Sequence, residues 1–318
     1  MNRQLKRKEP LREGLQRIAE ARLQQVLQLI GQDRLTSEPV HEARKAIKSL
    51  RATLRLTRGA LAPEERRNRN QALREFAGRL SGPRDAAVTL AAFEKACDEG
   101  LGGNRRPKGT PTWVTQVRQA LKRQAQAPVT AESVHDTAEA VRRLSGKLLP
   151  LRETRPEDVR SSKTKARDDW ETTVGTGLRQ TYRQGRQLFA QIEAAPDSTT
   201  DEQWHDLRKR AKDLGYQLEP LKKVKGIKPF LSRLDEVGSA LGDARDLTLV
   251  RAYLNKIQDK RELTPAERQG YRRLLAHIDR QRERLHRDAL RVAARVYQSK
   301  PKKFTAETAA CWHRWHAG

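Results

Sequence analysis

Sulfur is scarce in this chain: two cysteines and one methionine in 318 residues. Cys97 and Cys311 stand 214 positions apart with no C-x-x-C spacing. That excludes a disulfide framework and thiolate-rich zinc motifs, and fits ordinary thiols in a reducing compartment. Long apolar runs are missing as well. No segment approaches the roughly 18 consecutive apolar residues of a membrane span. The charged start MNRQLKRKEP has no apolar stretch behind it to form a secretory signal. These absences predict a soluble, cytoplasmic protein with no membrane partner. Aromatics amount to 5%, five each of Trp, Tyr and Phe, and they are scattered. No platform for stacking bases is suggested.

Acidic residues are short relative to basic ones, 40 against 66, for a formal charge of +26 and a pI near 10.6. Residues 1–160 carry 33 basic and 19 acidic groups (+14), and the remainder 33 and 21 (+12). The excess is therefore spread over both halves, which argues for a polyanionic partner that meets both. The apolar 36% is mostly Leu and Ala, which suits helix packing better than sheets. The expected fold class is all-α.

Read in order, Pro10 precedes a helix over 11–30 with Leu11, Leu15, Ile18, Leu23, Val26 and Ile30 on its apolar side, stopped by Gly31. Ser37 and Pro39 introduce a helix over 40–56. Pro63 opens a third to about Leu80, and Pro83 a fourth to about Cys97. A Gly/Pro/basic loop spans 99–111, and helices follow near 112–126 and 131–149, the second capped by Thr130. Residues 151–167 are polar with Pro156 among them and read as a linker between a first helical bundle, 1–150, and a second, 168–318. In the second, helices are expected over 170–192 and 204–221. Another opens near Leu241, and a last long one runs from Thr264-Pro265 to about Ser299. The tail 300–318, ending in CWHRWHAG, is expected to dock on the core.

The helix over 40–56 carries the chemistry. At about 100° per residue, His41, Arg44, Lys45 and Lys48 share one stripe that Arg51 and Arg55 extend, while Ala43, Ile47, Leu50 and Leu54 lie opposite. Ordinary wet helix faces alternate charge sign, since (i, i+4) acid–base pairs contribute a few tenths of a kcal/mol. Here Glu42 is the only carboxylate. A stripe of one sign repels itself, and makes sense facing an anion the protein does not supply.

The stripe occurs twice. His205, Arg208, Lys209 and Lys212 repeat the H-x-x-R-K-x-x-K spacing without a shift, with Tyr216 on the same side and Leu207, Ala211, Leu214 and Leu218 opposite. Leu80-Ser81-Gly82-Pro83-Arg84-Asp85 is answered by Leu241-Gly242-Asp243-Ala244-Arg245-Asp246, and Gly14-Leu15 by Gly177-Leu178. The three offsets, 164, 161 and 163, identify an internal duplication. Two such units are expected to pack about a pseudo-two-fold axis with their basic stripes converging on one cleft.

These residues resemble the CHAD family of histidine-containing α-helical domains, whose pattern is two copies of H-x-x-R-K/V-x-x-K/R-x-x-R, each followed by an L-G-x-x-R/N-D segment. The similarity spans nearly the whole chain. It implies two pseudo-symmetric helical bundles around a central basic groove that binds inorganic polyphosphate, with targeting to polyphosphate granules. Carried over residue by residue, His41, Arg44, Lys45, Lys48 and Arg51 form one half of the site, which Arg55 extends along the stripe. His205, Arg208, Lys209, Lys212 and Tyr216 form the other, with Arg84 and Arg245 as neighbours. Gly215 stands where the family tends to have an Arg, so the second stripe is one cation shorter. No cofactor or metal is implied.

A phosphate polymer suits such a stripe. Arg forks across two phosphate oxygens, Lys acts as a point charge, and a helix places cations three or four residues apart about 5 Å from one another. Two other functions are weighed. Non-specific nucleic-acid binding follows from charge alone, but no zinc-finger spacing, RNP segment or helix-turn-helix signature accompanies it. Metal-dependent phosphohydrolysis is suggested by His135-Asp136 and His205-Asp206, yet the stripes supply no carboxylate cluster for Mg²⁺. The triphosphatase signature E-x-E-x-K that accompanies some CHAD domains is absent. The expectation is a polyphosphate-binding protein, not an enzyme.

Overall fold

The computed structural model describes residues 3–31, 37–80, 83–102, 111–125, 131–144, 148–149, 169–258 and 263–317. The expected linker 151–167, Thr130 and most of the loop over 99–111 lie outside them. Among the described residues there are eleven α-helices and no strand, so the fold is all-α. They are α1 (Leu11–Ile30), α2 (Ser37–Leu56), α3 (Pro63–Arg79), α4 (Pro83–Gly100), α5 (Thr112–Ala125) and α6 (Ala131–Leu144). Then come α7 (Thr176–Ala194), α8 (Asp201–Leu218), α9 (Ile227–Gln258), α10 (Pro265–Val296) and α11 (Pro301–Ala317). No helix among the described residues is long and apolar enough to cross a membrane.

Local chemistry sets these boundaries. Leu11, Leu15, Ile18, Leu23, Val26 and Ile30 are buried along one side of α1, each large apolar side chain contributing about 2 kcal/mol on burial. The Gly31 N–H closes the helix on Leu27 O. Reciprocal capping boxes start α8, between Thr200 and Gln203, and α10, between Thr264 and Glu267 with Pro265 in the first turn.

Three departures from the sequence reading have physical causes. Leu241 does not open a helix; it lies inside the 32-residue α9. The first repeat breaks at Pro83, which lacks the N–H a continuous helix needs, whereas its counterpart Ala244 has one. The tail docks as expected, but as a helix of its own begun by Pro301, with Trp312 only 4% exposed against Trp170. A π-helical turn, Glu171–Gly175, precedes α7 and was not signalled by any residue pattern.

Helix pairings in the first half recur in the second. There α1 packs on α2, α2 on α3, α1 on α6 and α4 on α5; here α7 packs on α8, α8 on α9, α7 on α10 and α9 on α10. The continuous α9 thus does the work of α3 and α4, and α10 that of α5 and α6. One core lies within the first half, under α1, α2, α3 and α6. A second gathers α7, α8, α9, α10 and α11 but also takes Leu5, Leu11, Leu15, Ile18 and Leu56 from the first half. A third is built from both: Phe93, Trp113 and Val117 meet Val250, Tyr271 and Ile278. Apolar packing therefore ties the halves together at two places.

Candidate functional site

The two motif helices touch. The Arg55 guanidinium of α2 donates to Asp213 Oδ1 of α8 at 2.5 Å, and Gln217 Nε2 of α8 donates to the Ala52 carbonyl at 3.3 Å. Along α2 the contact points advance from 52 to 55, and along α8 they retreat from 217 to 213. The helices therefore run past each other in opposite directions near their C-terminal ends. His41 lies about 16 Å of helix rise from this crossing and His205 about 18 Å, on arms that extend to either side. The two stripes meet at this crossing, where Arg55 at the end of the α2 stripe reaches Asp213 of α8. The junction is close. A methyl on Gly177 of α7 would sit 2.0 Å from the Leu56 carbonyl, so only glycine lets the end of α2 approach there.

Arg44 and Arg51 reach the end and the first half of the helix that follows, α3. Arg44 Nη1 donates to Leu80 O at 3.1 Å, and Arg51 Nε to Asn70 Oδ1 of α3 at 3.1 Å. In the second half, Arg208 and Lys212 lie along a glycine rail on α9. A methyl on Gly242 would come within 3.2 Å of Arg208 Nε, and one on Gly238 within 2.5 Å of Lys212 Cε. Lys212 ends on Asp235 at 2.8 Å. Lys209 Nζ donates to Asp206 at 2.8 Å and Glu202 at 3.2 Å, and Lys45 to Glu42 at 3.3 Å. His41 Nε2 stands 3.8 Å from Glu42. Lys48 is exposed, while Arg44, Arg51, Arg55, Arg208, Tyr216 and Arg245 are half-buried. The Arg84 side chain lies outside the described residues.

A line of mutually interacting groups crosses the junction. Burial pushes the Arg51 pKa down, as do the charges of Arg55 and Arg74, while Asp213 opposes them. Burial raises the Tyr216 hydroxyl pKa, as do Glu219 and Asp213, while Arg208 and Arg22 pull it down. Burial and the cations Lys209, Arg245 and Arg208 hold His205 below its ordinary 6.5, against Glu202. Arg51, Arg55, Asp213, Tyr216, Arg208 and His205 are thus electrostatically linked in sequence. Three of its donors, Arg55 Nε, Arg208 Nε and His205 Nδ1, are buried without a hydrogen-bond partner.

Some site residues escaped the sequence reading. Arg22, only 5% exposed, occupies a core position on α1 and donates to Glu219 at 2.8 Å beside Tyr216. An arginine between Ala19, Leu23 and Val26 was the available signal. Arg58, Arg66 and Arg67 cluster beyond Arg55: burial lowers the Arg66 pKa, and the other three charges lower it further. Among the described residues, no three His, Cys, Asp or Glu side chains gather as metal ligands do. Asp206 is engaged by Lys209, and the His135 side chain lies outside the described residues. A concavity of about 530 Å³ beside α1 is lined by Glu13, Glu20, Arg17 and Leu148. Its two carboxylates make it a poor seat for an anion.

The fold and the site together define an all-α protein with two cationic motif helices in contact. The chain matches the CHAD domain over residues 11–255, and it belongs to that family. No curated protein matches it.

Proposed function

We propose that α2 and α8 bind inorganic polyphosphate laid along the line from His41, across the α2–α8 junction, to His205. The observation that carries this reading is the contact of the two motif helices, Arg55 on Asp213 and Gln217 on Ala52, which brings the cations Arg51 and Arg55 of α2 to the helix that carries Arg208 and His205. Association of CHAD domains with polyphosphate supports the same ligand. A flexible thread with one charge per phosphate can follow a single file of cations about 5 Å apart. Arg44, Arg51, Arg55 and Arg208 fork across phosphate oxygens, Lys45, Lys48, Lys209 and Lys212 neutralise them, and Tyr216 donates at the bend. Arg245 stands beside His205 on the α8 arm, and Arg84 is its counterpart in the first repeat. We read the protein as a binding module that takes its cargo to polyphosphate granules in the cytoplasm, without catalysis of its own.

Competition tests the reading. Labelled long-chain polyphosphate, bound at moderate salt, is challenged with double-stranded DNA at equal phosphate concentration. The expected result is little displacement by DNA and full displacement by unlabelled polyphosphate. Equal displacement by both would mean that charge alone decides, which is non-specific nucleic-acid binding. Release of phosphate on adding a divalent metal would overturn the non-catalytic reading.

A further inference from the structure

The α10 helix begins at Pro265, beyond the residues matched by the family, and it carries a second row of one sign. Arg273, Arg280, Arg284, Arg287, Arg291 and Arg295 are all exposed. At 100° per residue they fall within an arc of about 80°, opposite the buried Tyr271, Ile278, Ala289, Ala293 and Val296. The row runs about 33 Å. Arg291 pairs with Asp288 at 3.1 Å, but among the described residues no carboxylate pairs with Arg273, Arg280, Arg284, Arg287 or Arg295. Six guanidinium groups on one convex ridge repel one another, and neither packing nor the α2–α8 line uses them.

We infer that the outer face of α10 is a second polyphosphate strip, so that one protein molecule holds two chain segments and cross-links the polymer. This rests on the polyphosphate reading of the α2–α8 line. The row keeps to one face of one helix, which a flexible thread can track from end to end. A duplex cannot, because each strand winds once in about 34–36 Å and leaves a straight row after a fraction of a turn. The one ring side chain in the arc, His277, is turned onto Glu99 and Gly100 of α4, and no Trp, Tyr or Phe stands there to stack an unpaired base. Two strips on one molecule give avidity and bridging without any new contact.

The test compares four proteins by titration with short polyphosphate chains and by light scattering with long ones. The ladder variant carries Arg280→Glu, Arg284→Glu, Arg287→Glu and Arg291→Glu, with Gln at the same positions as a milder form. A charge-matched control carries Lys95→Glu, Lys122→Glu, Arg143→Glu and Arg183→Glu, four exposed cations on four other helices. The wild type and the control are expected to take two short chains and to scatter with long ones. The ladder variants are expected to take one chain, at an affinity within about threefold of the wild-type tighter site, and to lose the scattering. Unchanged stoichiometry and scattering in the ladder variants would overturn the strip alone. Equal loss in the control would also overturn it, by showing that net charge suffices. Loss of duplex DNA binding instead, with polyphosphate stoichiometry intact, would give the ridge to nucleic acid and overturn it. A wild type that binds no polyphosphate sinks both readings together.

Discussion

The two motif helices share one spacing and differ in their counter-ions. Residues 40–56 hold five cations against one carboxylate, whereas residues 204–221 hold four against three. On α8, Lys209 is engaged by Asp206 and Glu202, Lys212 by Asp235, and Arg210 flanks Asp213 at 3.6 Å. On α2, Lys45 is engaged by Glu42 and Arg55 by Asp213, and Arg51 has the cations Arg55 and Arg74 for neighbours beside Asp213. A repeated motif therefore does not ensure repeated strength. The α2 arm has Glu42 on Lys45 and Asp213 on Arg55 to exchange for phosphates as the ligand arrives, while the α8 arm has Asp206 and Glu202 on Lys209 and Asp235 on Lys212. Exposed ion pairs of this kind are individually worth about 1 kcal/mol or less, so the exchange is feasible at modest cost.

The largest expected effect comes from breaking both arms. Arg44→Glu, Lys48→Glu, Arg208→Glu and Lys212→Glu together should lower polyphosphate affinity about a hundredfold or more, with the helical CD spectrum intact. Introduced pairwise, the two α2 reversals should cost more than the two on α8; the opposite order would refute the asymmetry. The junction comes next. Gly177→Ala drives a methyl into the Leu56 carbonyl and should destabilise the protein by about 1–3 kcal/mol, read as a fall in melting temperature. Long-chain affinity should drop toward that of the α2 arm alone.

Releasing the α8 arm has a smaller effect of opposite sign. Asp235→Asn with Asp206→Asn and Glu202→Gln frees Lys212 and Lys209 and should raise affinity about two- to fivefold in a titration at low salt. No gain would mean that these pairs do not compete with the ligand. The smallest effect is on pH dependence. His205 is held below 6.5 in the free protein, so it is neutral there and costs no stability above pH 6.5. As pH falls from 6.5 through its lowered pKa, the unfolded chain takes up the proton first and stability declines. A bound polyanion reverses this preference, so binding should tighten on mild acidification with uptake of a proton, less so in His205→Asn. His286, stacked on Trp204 and pushed down to about 4 by burial, adds a ligand-independent loss of stability between pH 6.5 and 4.

Helix positions were legible because apolar stripes and their stops are local: Gly31, Pro63, Pro83 and the Thr264 cap each act within a turn. The duplicated H-x-x-R-K spacing made the candidate cations legible as well. Their relation to one another was not. Equal spacing cannot say where two stripes meet, because Arg55–Asp213 and Gln217–Ala52 join residues about 160 positions apart. Arg22 was hidden for the same reason, its partner Glu219 lying 197 positions away. The continuous α9 was readable in principle, from the missing proline at Ala244. The glycine rail under Arg208 and Lys212 shows its meaning only when α8 lies on α9.

The most direct measurement is binding of polyphosphate chains of graded length at fixed ionic strength. About 34 Å of helix rise separates His41 from His205 by way of the crossing. Affinity should climb steeply with length until a chain reaches both arms and then level off, with the break shifting to shorter chains when Arg208 and Lys212 are reversed. An affinity that follows total phosphate alone, with no break and no shift, would contradict a single thread held by two successive helices.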